Sequence, residues 1–106
     1  MKEEIFGPVM PVLPFKDIRE VIKYVNARDK PLAVYYFGQS NGTNAHMLCS
    51  ETSSGSFITN EVIVQTVSQH LGFGGVGMSG YGRHGGEPGF INFSNRKAII
   101  VKNPAP

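Results

Sequence analysis

Residues 72–82 carry the densest chemically meaningful pattern in this chain, with six glycines among eleven positions. Glycine at this density is typical of backbone that bends sharply or approaches another group closely. Two overlapping windows, 75–80 and 80–85, match G-x-G-x-x-G, the turn that binds dinucleotide phosphates. That turn follows a strand, opens a helix and precedes an acidic residue by about 20 positions, and neither window has this context. The pattern therefore indicates a tight loop and does not favour a phosphate-binding turn.

Cys49 and the three histidines are the other residues whose types could do chemistry. A reactive cysteine needs a helix N-terminus or a nearby cation, whereas Cys49 comes late in a short predicted helix, beside Leu48. We therefore predict that Cys49 belongs to the core. His46, His70 and His84 lack the spacing of a zinc site, so no metal ligand is predicted. No complete catalytic set is found among these 106 residues.

The elements that must position these residues begin with an apolar segment and a helix. Residues 9–13 are apolar, but the flanking prolines cannot donate to a ladder, which predicts an edge strand or an extended connector. Asp17 is predicted to cap a helix, with Glu20 completing a capping box rather than forming an acid–base pair. Apolar residues then recur at helical spacing, at Ile18, Val21, Ile22 and Val25.

The next segments predict a strand, a helix and a second strand. Residues 32–37 are continuously apolar or aromatic, as in a parallel strand that is covered on both faces. Residues 56–59 predict the second strand. The helix between them is expected to be capped by Thr43 or Asn44, and its predicted inward residues are Ala45, Leu48 and Cys49.

The remainder of the chain is less regular. Residues 60–86 show no convincing period, and loops of that length in a compact domain are functional or disordered. Residues 88–93 predict a short helix with Pro88 in its first turn, and residues 97–102 predict a final strand. The whole pattern predicts an α/β fold with mainly parallel strands, helical crossovers and a long glycine-rich loop.

Composition argues against several classes of protein. The net charge is +2 without a basic stripe, so no nucleic-acid partner is expected. A single cysteine excludes an internal disulfide and suits a reducing compartment, so we expect a cytoplasmic location. No secretory signal is apparent. No run approaches the roughly 20 apolar residues that span a bilayer, so no membrane segment is expected.

Two motifs resemble signatures of the NAD(P)-dependent aldehyde dehydrogenase superfamily. Residues 4–8 read E-I-F-G-P. Residues 73–82 read F-G-G-V-G-M-S-G-Y-G, which resembles the family pattern P-F-G-G-x-x-x-S-G-x-G, with Gly72 in place of the usual proline. Residues 26–33 and 35–38 resemble the class 3 branch of that family, which takes fatty, aromatic and other medium- to long-chain aldehydes. The match covers nearly the whole chain in the right order and spacing.

This resemblance implies oxidation of an aldehyde to a carboxylic acid with NAD or NADP as the cofactor. It implies that Glu4 hydrogen-bonds the nicotinamide ribose and that Phe6 packs near the nicotinamide ring. It also implies that Phe73 lines the substrate tunnel, although simple anchoring of the loop is an equal alternative for this residue. Asn60 matches a family asparagine for which we expect a structural role.

The resemblance extends only to the C-terminal part of such a subunit. The family's nucleophilic cysteine, general-base glutamate and Rossmann-like domain precede E-I-F-G-P, and Cys49 does not match the nucleophile. We expect residues 1–95 to be part of the catalytic domain, 96–102 an oligomerisation-type strand and 103–106 a tail. The isolated chain is expected to be inactive, and to act in a homo-oligomer or with the missing part of the subunit. The alternatives are a non-catalytic assembly module that associates with full-length subunits and, less favoured, a free-standing nucleotide-binding domain.

Overall fold

The computed structural model describes residues 3–104 and is an α/β structure, as the sequence predicts. Residues 1, 2, 105 and 106, at the ends of the expected catalytic part and tail, lie outside the described residues. Two short 3₁₀ turns, Val64–Thr66 and Gly77–Ser79, lie between the last strand and the last helix. The helices and strands are α1 (Ile18–Asn26), β1 (Ala33–Tyr36), α2 (Thr43–Glu51), β2 (Ser56–Thr59) and α3 (Gly86–Asn92).

Helix α1 begins where the sequence predicts. Asp17 has an extended backbone, and its side-chain oxygen accepts a hydrogen bond from the Arg19 N–H at 2.8 Å. This bond satisfies one of the amides that lack a partner in the first helical turn. The helix ends at Asn26, before Pro31, and the Asn26 side chain donates to the Glu51 carbonyl at 2.8 Å. That bond joins the C-terminal ends of α1 and α2.

Strands β1 and β2 form a parallel pair with α2 as the crossover between them. The register pairs Ala33 with Ser56 and Tyr36 with Thr59. This arrangement confirms the predicted parallel strands with a helical crossover. The predicted cover on both faces of β1 is only partial in the described chain, because both helices of the core lie on one face and Tyr35, on the other, stays 39% exposed.

The core is small and lies between α1, α2 and one face of the two strands. Its buried members are Ile18, Ile22 and Leu48, with partly buried residues from both strands packed around them. The predicted inward positions Ala45 and Leu48 are buried, but Cys49 is exposed, so its assignment to the core is wrong. The core contacts of α2 with α1 and the strand pair involve Leu48 and the partly buried Met47, and Cys49 is not among the residues packed there.

Local details of the later elements also differ from the predictions. Helix α2 is capped by Gly42 instead of Thr43 or Asn44, without a side-chain cap. Helix α3 begins at Gly86 and places Pro88 in its first turn, where proline loses no intrahelical hydrogen bond. The region in which no convincing period was found, 60–86, contains both 3₁₀ turns and an antiparallel bridge.

Two apolar segments that could have been strands pair with nothing in the described part of the chain. Residues 9–13 form an extended connector, with Val9 62% and Val12 78% exposed. The predicted final strand, 97–102, is absent from this structure, and Ile100 is 94% exposed. A strand needs a neighbouring strand to satisfy its backbone groups, and residues 3–104 offer none at these positions.

The chain is far more extended than a self-contained domain of its size. Its radius of gyration is 19.1 Å, against about 13 Å for a compact domain of 100 residues. Its accessible surface is 8949 Å², whereas a compact folded protein of 11.5 kDa exposes about 5,800 Å². Much apolar surface that a complete domain would bury therefore remains open.

Candidate functional site

Residues 73–84, here called the glycine loop, are closed at their base by a pair of backbone hydrogen bonds. The Phe73 N–H donates to the His84 carbonyl at 2.8 Å, and the His84 N–H donates to the Phe73 carbonyl at 2.9 Å. The two rings meet edge to face, with centroids 5.2 Å apart. Phe73 is half-buried and so anchors the loop, as one of the two sequence alternatives predicts.

Within the glycine loop, Ser79 holds the backbone of Val76 through its hydroxyl group. The Val76 N–H donates to Ser79 Oγ at 2.9 Å, and that hydroxyl donates back to the Val76 carbonyl at 2.9 Å. Gly75 lies so close to Ser79 that a Cβ at position 75 would overlap the Ser79 carbonyl. This close approach explains why the loop requires glycine there.

Arg83 ties the glycine loop to the start of β2. Its half-buried guanidinium donates through Nη1 to the Gly55 carbonyl at 3.1 Å and also to the Gly74 carbonyl. Gly55 and Gly74 are in backbone contact, since a Cβ on Gly55 would overlap the Gly74 carbonyl. Sequence reasoning missed Arg83. The available signal was a charged residue inside a glycine-rich segment, where its side chain can reach nearby backbone carbonyls.

An open groove of about 410 Å³ lies against the glycine loop. We call it the loop groove. Phe73 lines it, together with Leu32, Ser79, Arg83 and Phe93. Its lining is mainly glycine backbone and aromatic or aliphatic side chains, and its polar side chains include Ser79, Arg83, His84 and Asn92. Such walls suit an apolar ligand that carries a small polar group.

The N-terminal motif reaches a second groove, which also touches the glycine loop. This N-terminal groove is lined by Glu4, by Lys30 of the α1–β1 connection, and by Met78 and Ser79 of the glycine loop. Ser79 lines both grooves, so the fold places Glu4 and Phe73 in two adjoining depressions. Phe6 lies in a shallower depression that Glu4 also lines, with its ring 90% exposed.

Asn60 has the structural role that the sequence predicts. It adopts a left-handed backbone, with φ of 57°. Its side chain accepts from the Gly38 N–H at 2.8 Å and donates to the Gly38 carbonyl at 2.9 Å. Because Gly38 follows β1 and Asn60 follows β2, this pair of bonds fixes the carboxyl ends of the two strands together.

Gln65 is a second residue that sequence reasoning missed. It is 8% exposed, and its side-chain Nε2 donates to the Tyr35 hydroxyl at 2.7 Å, while its Oε1 atom has no partner among the described residues. The bond holds the Val64–Thr66 turn over the face of β1 that the helices leave open. A single glutamine in an apolar segment gave no sequence signal of this contact.

Cys49 and the histidines form no site in the described residues. Cys49 is exposed on α2 and lines neither groove. Within residues 3–104, no group of three His, Cys, Asp or Glu side chains is placed to hold a metal ion. Nor does that range contain a helix that is long and apolar enough to cross a membrane.

The chain belongs to the aldehyde dehydrogenase family, whose model matches residues 1–99. It is 46% identical over 109 residues to a probable coniferyl aldehyde dehydrogenase of Caulobacter vibrioides, covering all of this chain and 22% of that protein. It is 45% identical over 103 residues to the dimeric NADP-preferring aldehyde dehydrogenase of Rattus norvegicus, covering 97% of this chain and 22% of that protein.

Relatives of class 3 support the branch that the motifs indicate. Aldehyde dehydrogenase family 3 member F1 of Arabidopsis thaliana is 47% identical over 100 residues, covering 94% of this chain and 20% of that protein. The substrate-bound structure of Staphylococcus aureus AldH superposes on 98% of this chain and 24% of its own, with a TM-score of 0.80 and 31% identity. The chain thus spans about a fifth of the length of the curated relatives that it matches.

Proposed function

We propose that this chain forms the C-terminal part of a class 3-like aldehyde dehydrogenase, which oxidises an aldehyde to a carboxylic acid with NAD or NADP. The observation that carries this proposal is the meeting of Glu4 and the glycine loop in one groove, next to the groove that Phe73 lines. Both motifs that resemble the family thus contribute to adjoining walls. The identity of 46% along the whole chain supports the same function.

Glu4 and Phe6 fit a nicotinamide nucleoside. The Glu4 carboxylate is exposed in its groove, and a carboxylate can accept hydrogen bonds from both ribose hydroxyls. The Phe6 ring is uncovered in the neighbouring depression, where an aromatic face can hold a flat ring in position. When bound, NAD(P)+ would supply the acceptor for hydride.

Phe73 is the proposed substrate-facing residue. It lines the loop groove, whose aromatic and aliphatic side chains fit an aromatic or aliphatic aldehyde. Anchoring by the His84 pair would fix the ring in place, so the anchoring and substrate roles are compatible. The attacking cysteine and the general base are expected from sequence outside this chain, and the isolated chain is therefore expected to be inactive.

The test is a chimera in which this chain replaces the matching segment of the Caulobacter vibrioides relative. We expect the chimera to form NAD(P)H with an aromatic aldehyde, while the isolated chain forms none. Glu4→Gln should raise the KM for NAD(P)+ by about tenfold through loss of a hydrogen bond to a charged acceptor. Glu51→Gln, which removes the same charge at the exposed end of α2 away from both grooves, is the matched control and should change this KM by less than about twofold.

An inactive but correctly assembled chimera would contradict the proposal. Turnover by the isolated chain that Cys49→Ser abolishes would contradict the expected inactivity and would assign the nucleophile to Cys49. Equal effects of Glu51→Gln and Glu4→Gln would remove the ribose-binding role of Glu4 while leaving the rest of the proposal in place.

A second candidate function is a non-catalytic assembly module that associates with full-length subunits. The exposed apolar residues Ile99, Ile100 and Val101 favour this alternative, since an extended apolar segment can pair with the sheet edge of another chain. Light scattering of the chain mixed with an intact relative tests it. Association without any change in the relative's activity supports the module, and a monomeric, non-binding chain counts against it.

A further inference from the structure

We propose that Arg83 is a positioning residue. It holds the glycine loop against Gly55, directly before β2, and so fixes the position of the groove wall that would contact the aldehyde. This inference rests on the proposed function, because it assigns the loop groove to the aldehyde. It adds a specificity-determining residue that does not itself touch the substrate's reacting atoms.

The Arg83 side chain spans two segments that are distant in sequence. Arg83 directly precedes His84, which closes the base of the glycine loop, and its side chain turns back across the loop. One nitrogen, Nη1, donates to Gly74 inside the loop and to Gly55, which is 28 residues away in sequence. Arg83 thus connects the two segments whose backbones approach most closely.

The carbonyl groups of Gly55 and Gly74 share one donor. Both Gly55 and Gly74 turn their oxygens toward Arg83, and the backbone contact between these residues leaves no room for a side chain. Carbonyl oxygens brought together in a half-buried place repel one another unless a donor lies between them. The guanidinium is a charged donor, so it holds the pair more strongly than a neutral group would.

The part of the glycine loop that Arg83 holds also lines the loop groove. Phe73 and Gly74 are adjacent, and both line the loop groove together with Arg83. The Phe73–His84 pair fixes the base of the loop, and the Arg83 side chain joins Gly74, at that base, to Gly55, which directly precedes β2. Loss of the Arg83 bonds would let Gly74 and the neighbouring Phe73 move away from Gly55. A large aldehyde that contacts Phe73 would then bind more weakly, whereas the binding of a small aldehyde that does not reach Phe73 would not change.

The first experiment follows the loop directly by amide hydrogen exchange in the isolated chain. In Arg83→Met, which keeps an apolar stem, we expect the hydrogen-bonded amides of Val76, Ser79 and Gly80 to exchange at least about fivefold faster, as the loss of a charge-assisted bond implies. The amides of α1 should keep their rates. Arg19→Met, which removes an exposed arginine on α1, is the matched control and should leave the loop unchanged.

The second experiment measures aldehyde specificity in the chimera. Arg83→Met should raise the KM for an aromatic aldehyde by about fivefold or more, with the KM for acetaldehyde and for NAD(P)+ within about twofold. Arg83→Lys should recover part of the loss, since its ammonium is also a charged donor but ends one bond short of the position of Nη1. A purely structural role would move all three KM values together.

Chemical rescue keeps the inference testable where a variant loses its fold. Guanidinium ion added to Arg83→Ala should restore both the loop protection and the aromatic-aldehyde KM, whereas sodium ion at the same concentration, which cannot donate a hydrogen bond, should not. Unchanged loop exchange in a folded Arg83→Met, or no rescue by guanidinium, would overturn the clamp. A chimera that is inactive even with Arg83 intact would instead refute the proposed function, and the exchange experiment would still decide whether Arg83 holds the loop.

Discussion

Gly75 is the residue at which the glycine loop has least freedom to change. Its α-carbon lies against the Ser79 carbonyl, so that any side chain would have to displace backbone rather than a flexible group. The Ser79 hydroxyl in turn holds both backbone groups of Val76. One glycine and one serine therefore determine the shape of the turn that separates the two grooves.

We predict that Gly75→Ala destabilises the chain by about 1–3 kcal/mol, the usual cost of forcing an added methyl group into a packed place. Urea unfolding of the chain measures this change. Gly7→Ala is the matched control, because a Cβ at position 7 meets only the Ile5 carbonyl at 3.9 Å. Equal stability of the two variants would mean that the glycine loop is not packed as the structure has it.

At the scale of elements, two helices and two strands share one small core. Leu48 is 4% exposed and lies where α2 meets α1 and the strand pair. The next residue along the same helix, Cys49, faces solvent. Adjacent positions on one helix therefore differ sharply in burial. Substitutions at these two positions can distinguish the contribution of core packing to stability from that of local helix propensity.

Leu48→Ala should cost about 2–5 kcal/mol, since it removes a large part of the few buried side chains. Cys49→Ala should change the stability by less than about 0.5 kcal/mol, as for an ordinary surface position. The helical circular dichroism signal during urea unfolding measures both. A large loss for Cys49→Ala would return this cysteine to the core and contradict the structure.

At the scale of the whole molecule, the open apolar surface is the dominant feature. The accessible surface exceeds that of a compact protein of this mass by about 3,000 Å², which falls in the size range of permanent interfaces. Ile100, at 94% exposed, lies in the middle of one uncovered segment, and Val12 lies in another. Surface of this extent is consistent with a chain that is completed by other sequence.

We predict that the isolated chain binds a hydrophobic dye and that this binding falls when the remaining part of the Caulobacter vibrioides relative is added. Ile100→Asp should weaken that association by tenfold or more, because it places a charge in an apolar contact that association would bury. A tenfold loss corresponds to about 1.4 kcal/mol of binding free energy. Lys102→Gln is the control and should have little effect. Unchanged dye binding on mixing would show that the open surface is not the contact.

Local sequence patterns accounted for the elements whose causes are local. Asp17 begins α1 because its side chain reaches an amide two residues away, and the apolar stripe of α1 follows from helical spacing alone. The Asn60 role and the Phe73 anchor also agree with the motifs that identified the family. The roles of Glu4 and Phe6 toward a cofactor and of Phe73 toward an aldehyde stay predictions.

The sequence by itself determined the family, the parallel α/β pattern and the residues of both motifs, because these depend on residue types at short fixed spacings. Only the tertiary structure decided that Cys49 faces solvent, that Glu4 adjoins the glycine loop, and that Arg83 clamps it. Each of these outcomes depends on contacts between distant segments, such as the Arg83–Gly55 bond across 28 residues. Segment 97–102 also depends on a distant contact. Its sequence predicts a strand, but it forms none because the described chain offers no neighbouring strand to pair with it.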